Sequence, residues 1–162
     1  MKRVALVVGV LLAALLVLVG ALWGYGASLP QDHTASVQAE LPRAPAVIYA
    51  AIADVEASPA WRTGLERVEV DGDRFVEHGE ETIAFVVEED TFPTRRVVRI
   101  ASDDLVFGGS WTFELAPAPD GGTTLTVTED GEVYHPLARV FAAHALGHDT
   151  TLKAWMADFQ AH

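Results

Sequence analysis

Residues 109–129 read GSWTFELAPAPDGGTTLTVTE and decide the fold of this chain. Apolar and polar side chains alternate on both sides of Asp120-Gly121-Gly122. Strict alternation is typical of a strand with one buried face, and such a turn between two alternating runs is typical of a β-hairpin. We therefore predict two paired strands, near Gly109–Ala116 and Thr123–Val133, that turn one apolar face toward a core.

Further strands and two short helices precede this hairpin. Residues 35–41 alternate between apolar and polar side chains, which predicts a strand from His33. Pro45 suits the first position of a short helix, and Ser58-Pro59 resembles an N-cap followed by proline at N1 of a second one. Glycines and prolines separate four more strand-like segments, at Leu65–Val70, Arg74–His78, Thr82–Glu88 and Thr94–Ile100.

The C-terminal segment has the period of a helix. From Pro136 to Ala161, apolar residues and two histidines recur at steps of three and four, which predicts one long amphipathic helix. Gly147 lies in its middle, where glycine is unfavourable. The element order is one strand, two short helices, six strands and a long helix, so we predict an α+β fold with an antiparallel sheet covered by that helix.

A second feature fixes where the chain works. Residues 4–22 contain no charged or polar side chain, and a helix of that length spans about 28 Å, close to the hydrocarbon thickness of a bilayer. Lys2 and Arg3 precede the run, while Trp23 and Tyr25 follow it at the position of a membrane interface. We predict a single-pass anchor in the cell membrane, with the N-terminus in the cytoplasm and the remaining chain outside.

The alternative for this segment is a cleaved secretory signal. A signal has a shorter apolar core, about 7–15 residues, and ends in a small-x-small site. Tyr25-Gly26-Ala27 matches that site poorly, because a bulky residue stands where a small one is needed. The predicted organisation is therefore an anchor at 1–27, a short linker at 28–32 and one folded domain at 33–162.

Composition excludes several classes of function. The chain carries a net charge of −12, and its anchor takes two of the cations, so the domain is strongly acidic. Such a surface repels phosphate backbones, so we predict no nucleic-acid binding. Cysteine is absent, which excludes disulfides, thiolate catalysis and cysteine zinc sites.

Several phrases, in this order and spacing, resemble the START-like superfamily, also labelled SRPBCC, and within it the polyketide cyclase/dehydrase and lipid-transport group. The phrases are Pro45-Ala46-Val47-Ile48-Tyr49 with Asp54, Pro59-Ala60-Trp61, GSWTFEL at 109–115, GTTLTVTE at 122–129, and Gly147-His148. The resemblance covers residues 33–161. It implies a helix-grip fold, in which a curved sheet wraps the long helix around a cavity for apolar or amphipathic small molecules. The superfamily includes cyclases, hydrolases, lipid carriers and hormone receptors, so fold alone does not define activity.

Aromatic residues at inward positions are candidates for the wall of such a cavity. They are Trp61, Phe85, Trp111, Phe113 and Trp155. Aromatics at regular spacing are also what a packed core requires, and the sequence leaves both interpretations open.

Two histidines on the predicted helix, His144 and His148, stand four residues apart and could ligate one metal ion. No third ligand is evident beyond the distant His78, Glu129 and His135, so we predict no metal and no cofactor. The alternatives are helix histidines bonded to sheet hydroxyls or water, polar contacts with a ligand, and acid–base groups.

Glu129 is in phase with the apolar positions of its strand, which predicts an inward carboxylate. Arg96 is in phase with Val98 and Ile100 and is a candidate partner for it. A bulge at Asp130-Gly131 would instead turn Glu129 to solvent. Glu88, Glu89 and Asp90 are interpreted as a solvated strand end.

No nucleophile motif, phosphate loop or dinucleotide motif is present. The sequence therefore favours a membrane-anchored binding module for a hydrophobic small molecule, such as a lipid or a polyketide-like compound. The predicted ligand contacts are the five aromatics together with Arg96, Glu129, His144 and His148. The alternatives are a cyclase or dehydratase that uses histidine or glutamate as acid and base, and a domain with a filled cavity that binds other envelope proteins.

Overall fold

The structure is a computed structural model that describes residues 2–102, 104–119, 121–143 and 149–162. The helices are α1 (Lys2–Ser28), α2 (Pro45–Ala53), a 3₁₀ helix (Val55–Ala60), α3 (Pro136–Phe141) and α4 (Thr150–Ala161). The strands are β1 (Asp32–Leu41), β2 (Leu65–Asp71), β3 (Arg74–Gly79), β4 (Thr82–Thr91), β5 (Arg95–Ile100), β6 (Phe107–Pro117) and β7 (Thr123–Val133).

The seven strands form one antiparallel curved sheet in the order β1-β7-β6-β5-β4-β3-β2. The predicted hairpin is confirmed, since β6 and β7 pair without interruption from Phe107 opposite Val133 to Pro117 opposite Thr123. Directly opposed residues of antiparallel strands point to the same face. The predicted inward positions of β1, β6 and β7 therefore share one face of the sheet.

The core lies between that face and two helices, α2 and α4. Ile48 of α2 and Leu152 and Phe159 of α4 are fully buried against Leu125 and Val127 of β7. Burying such side chains contributes roughly 1.5–3 kcal/mol each relative to leaving them exposed. The predicted α+β helix-grip architecture is confirmed.

The C-terminal helical segment differs from the predicted single helix. The segment α4 has its own N-cap at Asp149, with φ −108° and ψ 2°, and α3 ends before it at Phe141. His144, Gly147 and His148 lie between the two helices in the sequence and are outside the described residues. Only α4 belongs to the core, whereas α3 packs against the end of α1.

The second short helix also begins earlier than predicted. Its N-cap is Asp54, whose carboxylate accepts a hydrogen bond from the backbone N–H of Ala57 at 3.3 Å. Ser58 lies inside this 3₁₀ helix, so its interpretation as an N-cap was wrong. Trp61 follows the helix as its C-cap residue and turns toward the core.

The N-terminal helix α1 is the one helix of the described chain that is long and apolar enough to cross a membrane. It has 27 residues, of which one, Gly26, is buried. It extends to Ser28, past the predicted boundary at residue 27, and three residues separate it from β1.

Candidate functional site

The inward face of the sheet divides along its strands into two parts. We call the first part the closed half: Ala39, Leu115 and Leu125 lie side by side on β1, β6 and β7, followed by Phe113 beside Val127. All five are buried, because α2 and α4 cover them.

The second part, which we call the open half, lies toward the start of β1 and the end of β7. It consists of His33, Ala35, Phe85, Trp111 and Glu129. Trp111 stands opposite Glu129, and Glu129 stands opposite Ala35. All five residues of the open half are only partly buried, so apolar surface on the same face as the core remains accessible.

Four of the five predicted aromatic residues come together where the two halves meet. Trp155 lies at their centre, with its ring centroid 5.2 Å from Phe113, 5.6 Å from Trp61 and 6.4 Å from Trp111. It also stacks on Phe159, with centroids 5.0 Å apart. Phe113 and Trp155 are buried and act as core, while Trp61 and Trp111 keep partly exposed faces.

Phe85, the fifth aromatic residue, lies farther along the sheet. Its ring stacks on that of buried Phe75, with centroids 5.0 Å apart and an interplanar angle of 14°. Phe85 stands opposite Ile100, which is also partly buried. These two residues extend the open half across β4 and β5.

Glu129 points inward, as the phase of its strand predicts. The strand β7 pairs in unbroken register with both neighbours through Asp130 and Gly131, so the bulge that would have turned Glu129 outward does not occur. Burial raises the pKa of the Glu129 carboxyl above its ordinary value, and a hydrogen bond from the Trp111 side chain lowers it by less. The site therefore favours the protonated acid more than water does.

His33 is a neighbour of Glu129 that sequence reasoning missed. Its Nε2 atom lies 4.0 Å from Glu129 Oε1, and its ring lies over Gly131, the residue opposite it on β7. A side chain at Gly131 would overlap this ring. A signal was available, because His33 opens the alternating run whose odd-numbered residues face the core.

Arg96 does not pair with Glu129, so that prediction was wrong. Its guanidinium is buried and forms an ion pair with Asp90. The reason is a register shift in β4 between Val87 and Glu89, which brings Asp90 opposite Arg96. Glu88, Glu89 and Asp90 do form a solvated strand end, as predicted: the Asp90 side chain is 49% exposed beside Arg96, and Glu88 and Glu89 form exposed pairs with Arg99 and Arg95.

Tyr49 completes this polar cluster next to the closed half. Its hydroxyl donates a hydrogen bond to Asp90, and its ring is buried among the core residues of α2. Burial, together with the hydrogen bond to Asp90, raises the pKa of Tyr49 to about 12. Tyr49, Asp90 and Arg96 therefore satisfy one another, and the described contacts assign them a structural role.

The predicted histidine pair cannot be placed, because His144 and His148 lie outside the described residues. Within the ranges that the structure describes, no group of three metal-ligating side chains comes together. The two other histidines considered as ligands lie apart: His135 packs edge-on against Trp23 at 5.0 Å, and His78 lies 3.6 Å from Glu69.

A hollow of about 400 Å³ lies between the β2–β3 turn and the second half of β4. It is lined by residues 72–73 and 87–90 and by Arg96, so carboxylates make up much of its wall. Such a lining suits water better than an apolar ligand.

The open half combines apolar surface with one carboxyl whose pKa is raised by burial. A protonated carboxyl can donate a hydrogen bond to a ligand carbonyl, which an ionised carboxylate cannot do. It can also act as a general acid toward a bound group. The geometry thus suits a mainly apolar molecule that bears an oxygen acceptor.

Solved structures share this fold at low sequence identity. A START superfamily protein from Mycobacterium smegmatis is 17% identical with a TM-score of 0.64, over 80% of this chain and 95% of that one. The Zhui aromatase/cyclase from Streptomyces sp. R1128 is 12% identical with a TM-score of 0.63, over 80% and 92%. A norcoclaurine synthase point mutant from Thalictrum flavum is 11% identical with a TM-score of 0.64, over 80% and 92%. These likenesses establish the fold.

No curated protein matches the chain significantly. A family model does match: the one described as polyketide cyclase / dehydrase and lipid transport covers residues 32–160, which is the whole of the sheet and nearly all of α4. The predicted membership is thereby confirmed, and this chain belongs to the polyketide cyclase/dehydrase and lipid transport family.

Proposed function

We propose that the chain is a membrane-anchored binding module for a hydrophobic small molecule, which it holds against the open half of the sheet. The observation that carries this proposal is the position of Glu129. A carboxyl whose pKa is raised by burial lies beside partly exposed apolar side chains, where a core would place only apolar groups. The family description, which includes lipid transport, supports the same class of ligand.

The ligand class follows from this pairing of surfaces. Trp111 and Phe85 supply apolar contact area, and the Glu129 carboxyl, when it holds its proton, donates to an oxygen of the ligand. A lipid or polyketide-like compound with a carbonyl or hydroxyl group meets both conditions. His144 and His148 remain proposed contacts from the segment before α4, whereas Arg96 is engaged with Asp90.

Anchoring by α1 would keep the domain beside a source of such ligands. We place the N-terminus in the cytoplasm, because Lys2 and Arg3 precede the apolar run. Reporter fusions at the C-terminus test this orientation. Activity from a reporter that works only after export supports it, and activity from a reporter that works only in the cytoplasm contradicts it.

Binding is tested on the full chain in nonionic detergent micelles. Native mass spectrometry identifies any co-purifying small molecule, and thermal unfolding then measures the stabilisation that added ligand provides. Two probes of equal chain length, a long-chain methyl ketone and the matching alkane, separate polar from apolar contacts. Both should raise the melting temperature, the ketone more.

A matched pair of variants assigns the polar contact. Glu129→Leu should weaken binding of the ketone by about 1–3 kcal/mol, because the ketone carbonyl loses a hydrogen-bond donor in a buried place. Binding of the alkane should be unaffected. Glu40→Leu is the control, since Glu40 is exposed on the other face of β1. Equal effects of Glu129→Leu on the two probes would remove Glu129 from the site.

One observation favours a second candidate function, an enzyme that uses acid–base chemistry. Glu129 and His33 lie 4.0 Å apart, and the raised pKa of Glu129 suits a general acid. In that case an aryl poly-β-ketone probe should lose water in the presence of the protein, and Glu129→Gln and His33→Gln should each abolish the reaction. Binding without turnover supports the binding module, whereas neither binding nor turnover favours an envelope interaction domain.

A further inference from the structure

The end of the anchor helix packs against the folded domain. A Cβ atom at Gly26 would overlap the backbone carbonyl of Pro136 and touch Val140, both in α3. Trp23, one turn earlier, meets His135 edge-on with ring centroids 5.0 Å apart. Helix α3 therefore lies directly beside the last two turns of α1.

Helix α3 is in turn tied to the sheet by Arg139. Its guanidinium donates to the backbone carbonyls of Val133 and Tyr134, at 2.7 and 3.1 Å, and to the side-chain oxygen of Gln31 at 3.1 Å. These bonds join α3 to the end of β7 and to the short segment before β1. The anchor, α3 and this edge of the sheet are thus packed together.

The depth of α3 follows from helix geometry. The apolar run ends at residue 22, and residues 23–28 of α1 add about 9 Å of helix, comparable to one interfacial layer of a bilayer. The contacts of His135 with Trp23 and of Pro136 with Gly26 place α3 at this level.

Three large apolar side chains are exposed around this region, where a soluble domain would favour polar residues. Phe141 of α3 is 61% exposed, Val106 is 51% exposed and Tyr134 is 45% exposed. Val106 and Tyr134 are neighbours, since the Tyr134 N–H donates to the Val106 carbonyl at 2.8 Å. We call these three residues the interfacial patch.

We infer that the interfacial patch rests in the headgroup layer of the bilayer, so that α3 seats the domain on the membrane instead of leaving it on a free tether. Exposed aromatic residues at this depth are what an interface accommodates. The open half lies at the same edge, since His33 and Glu129 belong to the strand ends nearest α1. A lipid-like ligand would then reach the open half from the bilayer. This inference rests on the proposed membrane anchoring by α1.

The absence of cysteine makes the test direct, because single-cysteine variants can carry one fluorophore each. The full chain is reconstituted in phosphatidylcholine vesicles, a zwitterionic lipid that does not repel an acidic domain. Some of the lipid carries a headgroup nitroxide, which quenches nearby fluorophores. Labels at Phe141→Cys and Val106→Cys should be quenched and blue-shifted.

Phe92→Cys is the matched control. Phe92 is 64% exposed, close to the 61% of Phe141, but it packs on Tyr49 at the opposite end of the strands. Its label should remain unquenched. Equal quenching at Phe92 and Phe141, or none at either, would overturn the seating.

A label at Val17→Cys, within the apolar run, separates this inference from the anchoring on which it rests. Quenching at Val17 by acyl-chain nitroxides, without quenching at Phe141, leaves the anchor intact and overturns only the seating. A Phe141 label that is shielded from water but not quenched by lipid would assign the patch to a protein partner. Failure at Val17 overturns both.

Two glycine substitutions then test the packing that holds the domain in place. Gly26→Ala should abolish quenching at Phe141 and preserve it at Val17, because the new Cβ overlaps Pro136. Gly24→Ala, on the same helix, has no atom within 4 Å of its new Cβ and should change neither. Unchanged quenching at Phe141 in Gly26→Ala would contradict the inference.

Discussion

Ala35 and Ala39 lie four residues apart on β1 and turn to the same face of the sheet, yet their surroundings differ. Ala39 is buried opposite Leu125, whereas Ala35 is partly exposed opposite Glu129. The same alternation built both positions. The two halves therefore differ in how the helices cover them. Helices α2 and α4 complete the core over the closed half and leave apolar surface accessible on the open half.

The polar groups of the two regions differ in the same way. Next to the closed half, Arg96, Asp90 and Tyr49 satisfy one another, as the buried charge of Arg96 requires. In the open half, Glu129 receives a hydrogen bond from Trp111 and lies 4.0 Å from His33 without an arginine partner. The first arrangement stabilises the fold, whereas the second leaves a carboxyl with a raised pKa beside accessible apolar surface.

Truncating Phe159, which belongs to the helix that covers the closed half, and Phe85, which belongs to the open half, should give the largest contrast. Phe159→Ala removes a fully buried ring that stacks on Trp155, and should cost about 3–5 kcal/mol of unfolding free energy. Phe85→Ala removes a partly exposed ring and should cost less, about 1–2 kcal/mol. Urea unfolding of the full chain in nonionic detergent, followed by near-ultraviolet circular dichroism, measures both. Equal losses would mean that the open half is as tightly packed as the core.

Enlarging the two alanines of β1, instead of truncating a ring, should give a smaller difference in stability between the two halves. Ala39→Leu inserts three carbons into a packed site and should cost about 1–3 kcal/mol. Ala35→Leu extends into the open half and should change stability by no more than about 0.5 kcal/mol, while reducing the binding of an added alkane. The same unfolding assay, with and without alkane, decides this. A large loss of stability from Ala35→Leu would show that its surroundings are filled.

The strands that carry the two halves were predictable from sequence, because the alternation of apolar and polar residues is a local property. The predicted strand at Thr123–Val133 has the observed bounds, and the inward phase of Trp111 and Glu129 is confirmed. The partner of Arg96 was not predictable in this way. It depends on the register shift in β4, which reverses the phase that Asp90 would otherwise have.

The C-terminal segment shows a second feature that periodicity alone does not predict, which is where each helix packs. Apolar residues recur at helical steps through 136–161, so the period alone predicts one helix. It cannot show that α3 packs on α1 while α4 packs on the sheet, because both surfaces are apolar. The start of α4 did have a local signal: Asp149, a favoured N-cap residue, precedes two threonines.

Removing one hydroxyl tests how far the polar cluster fixes the closed half. Tyr49→Phe deletes the donor to Asp90 and should cost about 1 kcal/mol. Since the folded state raises the pKa of Tyr49 to about 12, its phenol ionises later in the native protein than in the unfolded one. The stability that this phenol contributes is therefore lost as the pH rises through about 10 to 12. An ultraviolet titration that is unchanged by Tyr49→Phe below about pH 11, and differs above it, would match this expectation.

The smallest change in stability is expected for Glu129→Gln. It is a gain at neutral pH, whereas Tyr49→Phe should cause a loss. Burial raises the pKa of its carboxyl above the ordinary value of 4.5, so the native state holds this proton more tightly than the unfolded state does. The stability contributed by this proton is complete below the unfolded pKa and is lost as the pH rises through the native one. Glu129→Gln cannot titrate and keeps an oxygen that accepts from Trp111. The variant should match the wild type near about pH 4 and melt at a higher temperature near about pH 7.

Glu40→Gln, an exposed change on the outer face of β1, should shift the melting temperature little at either pH and controls for the loss of one negative charge. A difference in melting temperature between Glu129→Gln and the wild type that stays constant with pH would place the Glu129 carboxyl in solvent.

Ligand binding gives a second test of the same carboxyl. Wild-type affinity for a long-chain ketone should fall as the pH rises through the native pKa of Glu129, because the donor proton is lost. Affinity for an alkane should not fall, and the amide N–H of Glu129→Gln should make ketone binding independent of pH. If the protein binds both ligands equally at every pH, the open half acts as an apolar surface alone, and the two halves of the sheet differ only in how the helices cover them.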